Sequence, residues 1–194
     1  MTPDSERKGP VLLWLARTAI EESFGGAPVA LPRDPWLQEP RATFVTLRKN
    51  EDLRGCVGSI EAHRPLVEDV MSAARAAAFR DNRFDPLDRS ELVDVRLEVS
   101  VLSPLMDFPV RSEKEAIERL VPRRDGVIFS FGARRGLFLP KVWESLPDPQ
   151  EFLEHLRAKA GLRPDFWSES VTLQTFTTEE FSEPDELPSL AEAN

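Results

Sequence analysis

Residues 53–60, Leu-Arg-Gly-Cys-Val-Gly-Ser-Ile, form the stretch around which the fold is inferred. They predict a β-strand, and residues 42–48 predict its partner, because a polar segment of hairpin length (49–52) separates the two apolar runs. A helix is expected next at residues 66–80, where Pro65 suits the first turn and small apolar side chains form one face. The local unit predicted is a hairpin against which a helix packs closely.

Helices and strands are also predicted on both sides of this unit. Apolar positions at helical spacing indicate a helix at residues 11–24, and alternation of apolar and polar residues indicates a strand at residues 95–101. Further predicted helices span residues 113–121 and 149–160, with another beginning at Pro140, and further strands span residues 127–131, 137–139 and 171–176. Three tryptophans are assigned to packing between these elements, namely Trp14, Trp143 and Trp167. We expect one compact unit without internal repeats.

The composition is that of a globular protein in a reducing compartment. The chain has 194 residues, of which 41% are hydrophobic and 30% are charged, enough to build a sizeable core. Its single cysteine, Cys56, excludes an intramolecular disulfide, and one thiol with two histidines cannot form a cysteine-rich zinc site. No targeting segment is recognisable, and no apolar run approaches the ~20 residues of a membrane span. The sequence therefore predicts a cytoplasmic protein without membrane attachment.

The negative charge is concentrated at the C-terminus. Of the net charge of −9, six acidic residues between positions 179 and 194 account for the larger part, so that the body of the chain carries −3. Such a body lacks the broad positive field that binding to a phosphate backbone requires, which makes nucleic acid an unexpected partner. We expect disorder from Ser182 onward and assign residues 184–194 to an acidic disordered tail.

Four blocks of sequence, in this order, resemble the AMMECR domain family. The blocks are residues 53–58 (Leu-Arg-Gly-Cys-Val-Gly), residues 81–84 with Pro86 and Leu87, residues 98–104, and residues 139–142 leading to residues 159–162. They cover most of residues 10–183, which we assign to a single AMMECR-like domain. The resemblance implies an α+β fold, with a largely antiparallel sheet and packed helices, arranged in two unequal subdomains.

The resemblance also implies partners. Bacterial and archaeal members of the family are often encoded beside a Memo-like protein and a radical SAM protein, which suggests a shared pathway. Neither a reaction nor a cofactor is implied, so the cofactor stays unknown and the chain is not assigned as an enzyme.

Cys56 is the candidate reactive residue. In a regular strand Arg54, Cys56 and Gly58 point to one face, with about 7 Å between successive Cα atoms. The neighbouring guanidinium would favour the thiolate, and the glycine would leave room for a small ligand. The alternative is that Cys56 is a small buried apolar residue, and that Gly55 and Gly58 serve close packing or a β-bulge.

Asp81 and Arg83 are expected to complete the candidate site. A helix that returns antiparallel to the signature strand carries its C-terminal end towards Arg54, so Asp81 and Arg54 should share one polar cleft. The candidate substrate-binding residues are Arg54, Gly55, Gly58, Asp81 and Arg83. Alternatively, Asp81 and Arg54 merely fasten the end of the helix. His63 should lie towards the other end of the strand, so it is not expected to act as a base for Cys56.

Two functions of different classes follow from these observations. The first is an accessory or catalytic component of a small-molecule or protein-modification pathway, which uses a small polar cleft around Cys56 and acts on an unknown small molecule. The second is a non-catalytic module that binds a partner protein through a shallow groove. A deep polar pocket at Cys56 would favour the first function, and a shallow apolar groove would favour the second.

Overall fold

The computed structural model describes residues 3–50 and 52–184, which form five α-helices and eight β-strands. In chain order these are α1 (Pro3–Ser23), α2 (Pro35–Gln38), β1 (Thr43–Lys49), β2 (Asp52–Gly58), α3 (Leu66–Phe79), β3 (Val95–Leu102), β4 (Met106–Asp107), α4 (Glu113–Arg119), β5 (Gly126–Phe131), β6 (Arg134–Phe138), α5 (Pro149–Lys159), β7 (Thr172–Phe176) and β8 (Thr178–Ser182). Two 3₁₀-helices occupy Arg89–Val93 and Pro140–Glu144. The fold is α+β, as predicted.

The chain divides into two compact units. The inserted unit is Leu102–Thr178, and the outer unit consists of the described residues up to Val101 together with those from Glu179 onward. Each unit has its own four-stranded sheet and its own hydrophobic core. The sequence pattern had not separated the strands into two sheets.

The sheet of the outer unit has the strand order β2-β1-β3-β8. Apolar residues alternate along its central strands, and those that are fully buried, such as Leu47 of β1 and Leu97 of β3, belong to the same core as the apolar faces of α1 and α3. Helix α3 packs on β1 and β2 and also contacts α1. The predicted hairpin, helix and alternating strand are therefore present, and the opposite face of the sheet carries the polar residues.

The sheet of the inserted unit has the order β4-β7-β5-β6. Its core contains Trp143 stacked on Phe152 of α5, with 3.7 Å between the ring centroids. Helix α5 begins as predicted, because the Asp148 side chain accepts hydrogen bonds from the backbone N–H groups of Gln150 and Glu151. Trp143 and Trp167 pack in this core, in agreement with the sequence interpretation.

Three expectations are wrong in the outer unit. Helix α1 begins at Pro3 rather than at residue 11 and contains Pro10. Trp14 of that helix is 42% exposed rather than packed in a core. Disorder does not begin at Ser182, because Ser182 is the last residue of β8 and Glu183 is bonded to Arg17 of α1. Residues 185–194 of the predicted tail lie outside the described residues.

In the part of the chain that the structure describes, no helix combines the length and the hydrophobicity needed to cross a membrane.

Candidate functional site

Cys56 lies in β2, the edge strand of the outer sheet. Its backbone N–H donates a hydrogen bond to Oδ2 of Asp81 over 2.8 Å, and its carbonyl oxygen accepts one from Nη2 of Arg83 over 3.2 Å. Both side chains come from the segment that follows α3. They bond the two backbone groups that a further strand would otherwise bond at this position, because an edge strand leaves such groups free. The predicted approach of these residues to the signature strand is therefore present at Cys56.

Asp81 and Arg83 form a close ion pair. Nε of Arg83 lies 2.9 Å from Oδ1 of Asp81, and Nη2 lies 2.6 Å from Oδ2, which is the bidentate geometry of a strong guanidinium–carboxylate bond. The hydrogen bond from Arg83 holds the pKa of Asp81 far below its ordinary value, although burial of the carboxylate opposes this shift. Asp81 is buried, whereas Arg83 is about half exposed. The carboxylate is thus a fixed anion, and its partner guanidinium remains accessible to solvent.

The thiol of Cys56 faces Thr46 of β1. The two residues are cross-strand partners, and Oγ1 of Thr46 donates a hydrogen bond to Sγ over 3.3 Å. Asp81 raises the pKa of Arg83 above its ordinary value, chiefly through their hydrogen bond, and the charge of Cys56 adds to this rise. The sulfur therefore has a hydroxyl donor, and the residue that carries it is partly exposed.

Arg54 has a different set of partners from the one expected. Its guanidinium donates to the carboxylate of Glu91 at 2.8 and 3.2 Å and to the carbonyl oxygen of Asp85 at 3.0 Å. The hydrogen bond from Arg54 is the main reason that the pKa of Glu91 falls to about 2, and Lys49 bonds the same carboxylate. In the described part of the chain no hydrogen bond or ion pair joins Arg54 to Asp81.

A β-bulge explains why the side chains of Arg54 and Cys56 have different partners. The register between β1 and β2 shifts at Leu47 and Arg48, so that one step of β1 spans the two residues from Leu53 to Gly55. Arg54 is the additional residue. A bulge breaks the alternation of side chains, so the prediction that Arg54, Cys56 and Gly58 share one face by regular spacing does not hold across it.

The two glycines of the signature fill close-packed positions. A Cβ atom at Gly55 would lie 2.2 Å from the carbonyl oxygen of Ala77 in α3. At Gly58 it would lie 2.3 Å from the carbonyl oxygen of Thr43 and 2.4 Å from the ring of Phe44. The expected room for a ligand at Gly58 is therefore absent, and the structure agrees with the close-packing interpretation of both glycines.

His63 is paired with an acidic residue. Its side chain is 65% exposed, and its Nε2 lies 3.4 Å from the carboxylate of Glu61. Among the described residues, no group of three or more His, Cys, Asp or Glu side chains is arranged to hold a metal ion.

Thr46 and Glu91 are site residues that the sequence reasoning missed. The hairpin register begins at the turn, where Lys49 pairs with Asp52. A regular hairpin would place Thr46 opposite Gly55, and the bulge places it opposite Cys56 instead. Glu91 belongs to a 3₁₀-helix for which no periodicity was recognised, although Asp88 and Glu91 have the spacing of a capping box.

Comparisons with known proteins found a set of chains similar to this one. The AMMECR1 family model matches residues 13–181. Protein MK0488 of Methanopyrus kandleri is 40% identical over 91% of this chain and 88% of its own length, and Protein MJ0810 of Methanocaldococcus jannaschii is 37% identical over 91% and 90%. The crystal structure of the uncharacterized protein PH0010 from Pyrococcus horikoshii superposes with a TM-score of 0.83 at 38% identity, covering 90% of this chain and 91% of that one.

Proposed function

The chain belongs to the AMMECR1 family, and we propose that it is a cytoplasmic accessory or catalytic component of a small-molecule or protein-modification pathway, with Cys56 as its reactive group. The observation that carries this proposal is the bonding of both backbone groups of Cys56 by the Asp81–Arg83 pair. Two polar side chains thereby set the position of the residue that bears the thiol. A reactive group gains most from its neighbours when its geometry is held in advance.

Electrostatics around the sulfur supports the same proposal. Thr46 donates a hydrogen bond to Sγ, and the Arg83 guanidinium interacts with the charge of Cys56. The thiolate is the nucleophile in cysteine chemistry, and a hydroxyl and a guanidinium are both groups that can bond it. Arg54 supports the site indirectly, because its ion pair with Glu91 connects β2 to the 3₁₀-helix Arg89–Val93.

The first test is the reaction of the native protein with iodoacetamide near neutral pH, read by mass spectrometry. We expect Cys56 to be alkylated without denaturant, because thiol reactivity follows the thiolate fraction and exposure. Alkylation that requires denaturation would show that the cysteine is a packed residue and would contradict the proposal.

Two substitutions separate an electrostatic role of the ion pair from a structural one. Asp81→Asn leaves the cation of Arg83 unbalanced near the sulfur and should shift the pH profile of alkylation to lower pH. Arg83→Gln leaves the anion of Asp81 and should shift the profile to higher pH. If the ion pair only holds the backbone in place, the pH profiles of alkylation of both variants should shift in the same direction. Asp165→Asn removes an acid from the exposed Arg163–Asp165 pair and serves as the matched control, with no shift expected.

The proposed partners are a Memo-like protein and a radical SAM protein, as family resemblance implies. Purified preparations of the three proteins should form a complex in at least one pairwise or ternary mixture, measured by size-exclusion chromatography with light scattering. Independent elution in every mixture would argue against this partnership while leaving the thiol test unaffected.

A non-catalytic interaction module is the second candidate function. It is favoured by the position of β2 at the sheet edge and by Leu53 on that strand, which is 37% exposed. An exposed apolar side chain at a sheet edge can bind another protein, whereas at Cys56 the Asp81–Arg83 pair already bonds the backbone groups that an added strand would use. Under this alternative, Cys56 would resist alkylation in the native state, and Leu53→Asp would abolish binding of the partner.

A further inference from the structure

The inserted unit contains an arginine that is almost completely buried. The side chain of Arg157, in α5, is 1% exposed. Its Nη1 donates a hydrogen bond to Oε1 of Glu113 in α4 over 2.6 Å, and its Nε is buried and bonds no described residue. A buried donor without an acceptor costs free energy, because the bond it makes to water in the unfolded chain is not replaced. The charge of Arg157 is therefore paired, but its donors are not all satisfied.

Three other arginines show what the same edge of a guanidinium binds elsewhere in the protein. In Arg17, Arg54 and Arg83, Nε and Nη2 bond the two oxygens of one carboxylate. These two nitrogens form a planar fork that matches an oxyanion. The three side chains are 21%, 15% and 52% exposed, whereas Arg157 is far more buried and bonds a described residue only through Nη1. The fork of Arg157 therefore bonds no carboxylate of the described residues.

Helix α4, which carries Glu113, is lightly anchored to the inserted unit. Ala116 is its buried residue, Ile117 is partly buried against the same core, and the side chain of Glu113 is 32% exposed. The other hydrogen bonds and ion pairs that the described residues of α4 form stay within residues 109–120. A helix of seven residues is not stable by itself, so its attachment depends on these few side chains. Breaking the bond to Arg157 removes the polar link from α4 to α5.

Glu113 acts as a carboxylate ligand of Arg157 but bonds only one of its nitrogens. A free carboxylate that bonds Nε and Nη2 would satisfy the buried donor and use the full fork. Two carboxylates on one guanidinium repel each other, so the free carboxylate has to replace Glu113. Leu153 and Leu156, on the same helix as Arg157, are fully buried in the core of the unit. The group attached to the carboxylate therefore meets apolar surroundings.

We propose that Arg157 binds the carboxylate of a small apolar acid, and that Glu113 on α4 is an autoinhibitory group which this ligand displaces. Binding of the acid and separation of α4 from Arg157 are then coupled, since the ligand favours the form in which Glu113 has left. The site lies in the inserted unit, whereas Cys56 and its partners lie in the outer unit. The proposal therefore stands independently of the function proposed for Cys56.

The test is a calorimetric titration of the full chain with benzoate and with hexanoate, two apolar carboxylates, and with their uncharged amides. At least one acid should bind saturably, and its amide should bind at least about tenfold more weakly, because an amide cannot form the charged fork. Inorganic phosphate should bind more weakly than that acid, since it lacks an apolar group. Absence of binding by both acids, equal binding of the amide, or tighter binding of phosphate overturns the proposed ligand class.

Substitutions in the two helices test the roles of Arg157 and Glu113. Glu113→Gln keeps an oxygen that can accept from Nη1 but removes the competing charge, so the acid should bind several-fold more tightly. Arg157→Met should abolish binding, and Arg157→Lys, which keeps the charge but not the fork, tests the same point if the first variant does not fold. Glu118→Gln is the matched control on α4, because Glu118 is 63% exposed and pairs with Lys114, and the affinity should not change. Unchanged binding in the folded Arg157 variant overturns the site.

Hydrogen exchange followed by mass spectrometry tests the displacement of Glu113. The bound acid should speed the exchange of amides in residues 113–120 of the wild-type protein, because α4 loses its link to α5. The rest of the inserted unit should exchange more slowly or at the same rate, since a ligand of the folded state stabilises it. Slower or unchanged exchange in α4, or weaker binding in Glu113→Gln, would show that Glu113 is not displaced and would overturn its autoinhibitory role.

Discussion

At the scale of single residues, the backbone of Cys56 is as important to the site as its thiol. Asp81 and Arg83 bond the N–H and carbonyl of Cys56, and Gly55 beside it allows α3 to approach β2. The signature residues therefore have two different physical roles. The glycines provide contact between backbones, and Cys56 provides the chemistry proposed above.

Gly55→Ala should destabilise the protein through a steric clash. The added methyl would lie 2.2 Å from the carbonyl oxygen of Ala77, a backbone atom that cannot rotate away. We expect the free energy of unfolding to fall by about 1–3 kcal/mol, as measured by urea denaturation. Gly132→Ala is the comparison, because its site is open but its φ is +56°, and a loss of about 1 kcal/mol is expected from backbone strain alone. A smaller loss at Gly55 than at Gly132 would contradict the close packing.

Glu91 should make stability depend on pH in a defined window. Its pKa falls from 4.5 to about 2, first because Arg54 bonds it. A lowered pKa in the folded state stabilises the protein above pH 4.5, and that stabilisation is lost as the pH falls towards 2. The difference in unfolding free energy between wild type and Glu91→Gln should be about 1–2 kcal/mol at pH 7, after allowance for solvent screening, and should shrink below pH 4.5.

Urea denaturation across this pH range measures the effect of Glu91. Glu144 is exposed on the inserted unit and provides the control, since Glu144→Gln should give a difference near zero at every pH. A Glu91 difference that stays constant down to pH 3 would rule out the ion pair as its source.

At the scale of elements, β8 and the residue that follows it fasten the C-terminal segment to the outer sheet. The backbone N–H of Glu183 donates to the carbonyl oxygen of Leu97, and a carboxylate oxygen of Glu183 accepts from the N–H of Leu97. The same carboxylate bonds Arg17 of α1. One side chain thereby links a terminal segment, a central strand and the first helix.

A chain that ends at Phe181 should melt at a lower temperature than one that ends at Pro184. The shorter chain lacks the contacts of Glu183, and the loss of charged hydrogen bonds worth about 2 kcal/mol corresponds to roughly 4–8 °C for a chain of this size. The chain ending at Pro184 should melt close to the full chain, because the removed residues 185–194 are mainly acidic, polar or small. Thermal unfolding followed by circular dichroism measures both melting temperatures. The full-length variant Glu183→Gln tests the same side chain without truncation. Equal melting temperatures of the two truncated chains would show that Glu183 stabilises nothing.

At the scale of the whole molecule, one unit is inserted into the sequence of the other. The ends of the inserted unit are adjacent, because the N–H of Ser103 donates to the carbonyl oxygen of Thr177 and the N–H of Thr177 donates to Oγ of Ser103, each over 2.9 Å. The core of this unit includes Phe129, Trp143 and Phe152, all fully buried. Adjacent ends and a separate core are the properties of a domain that can be excised.

Residues 102–178 expressed alone should therefore fold, with the low stability expected of a small core. The near-ultraviolet circular dichroism of the buried Trp143 and the dispersion of amide resonances measure this. In the complementary variant, a Gly-Gly linker replaces residues 103–177, and Cys56 should keep its native alkylation rate because its contacts lie within the outer unit. A fragment without fixed tertiary packing, or a linked outer unit with altered alkylation, would show that the two units depend on each other.

Much of the secondary structure was determined by the sequence itself. Alternation of apolar and polar residues predicted β3, helical spacing with alanines predicted α3, and Asp148 predicted the start of α5. These signals are local, since each depends on side chains within one turn of helix or one strand. The family is likewise determined by short motif blocks, since their residues and their order along the chain are enough to identify it.

The composition of the site was decided by the tertiary structure. The bulge at Arg54 shifts the register so that Thr46 lies opposite Cys56, and the Arg54 side chain bonds Glu91. A shift of one residue in register changes the face of every side chain beyond it. Strand periodicity does not locate the bulge, which lies next to Gly55, at the point where β2 packs closely against the backbone of α3. The bonds of Glu183 similarly join residues far apart in the chain, and no local pattern distinguishes that glutamate from its acidic neighbours. The sequence thus determined the elements, and long-range packing determined which of their side chains meet.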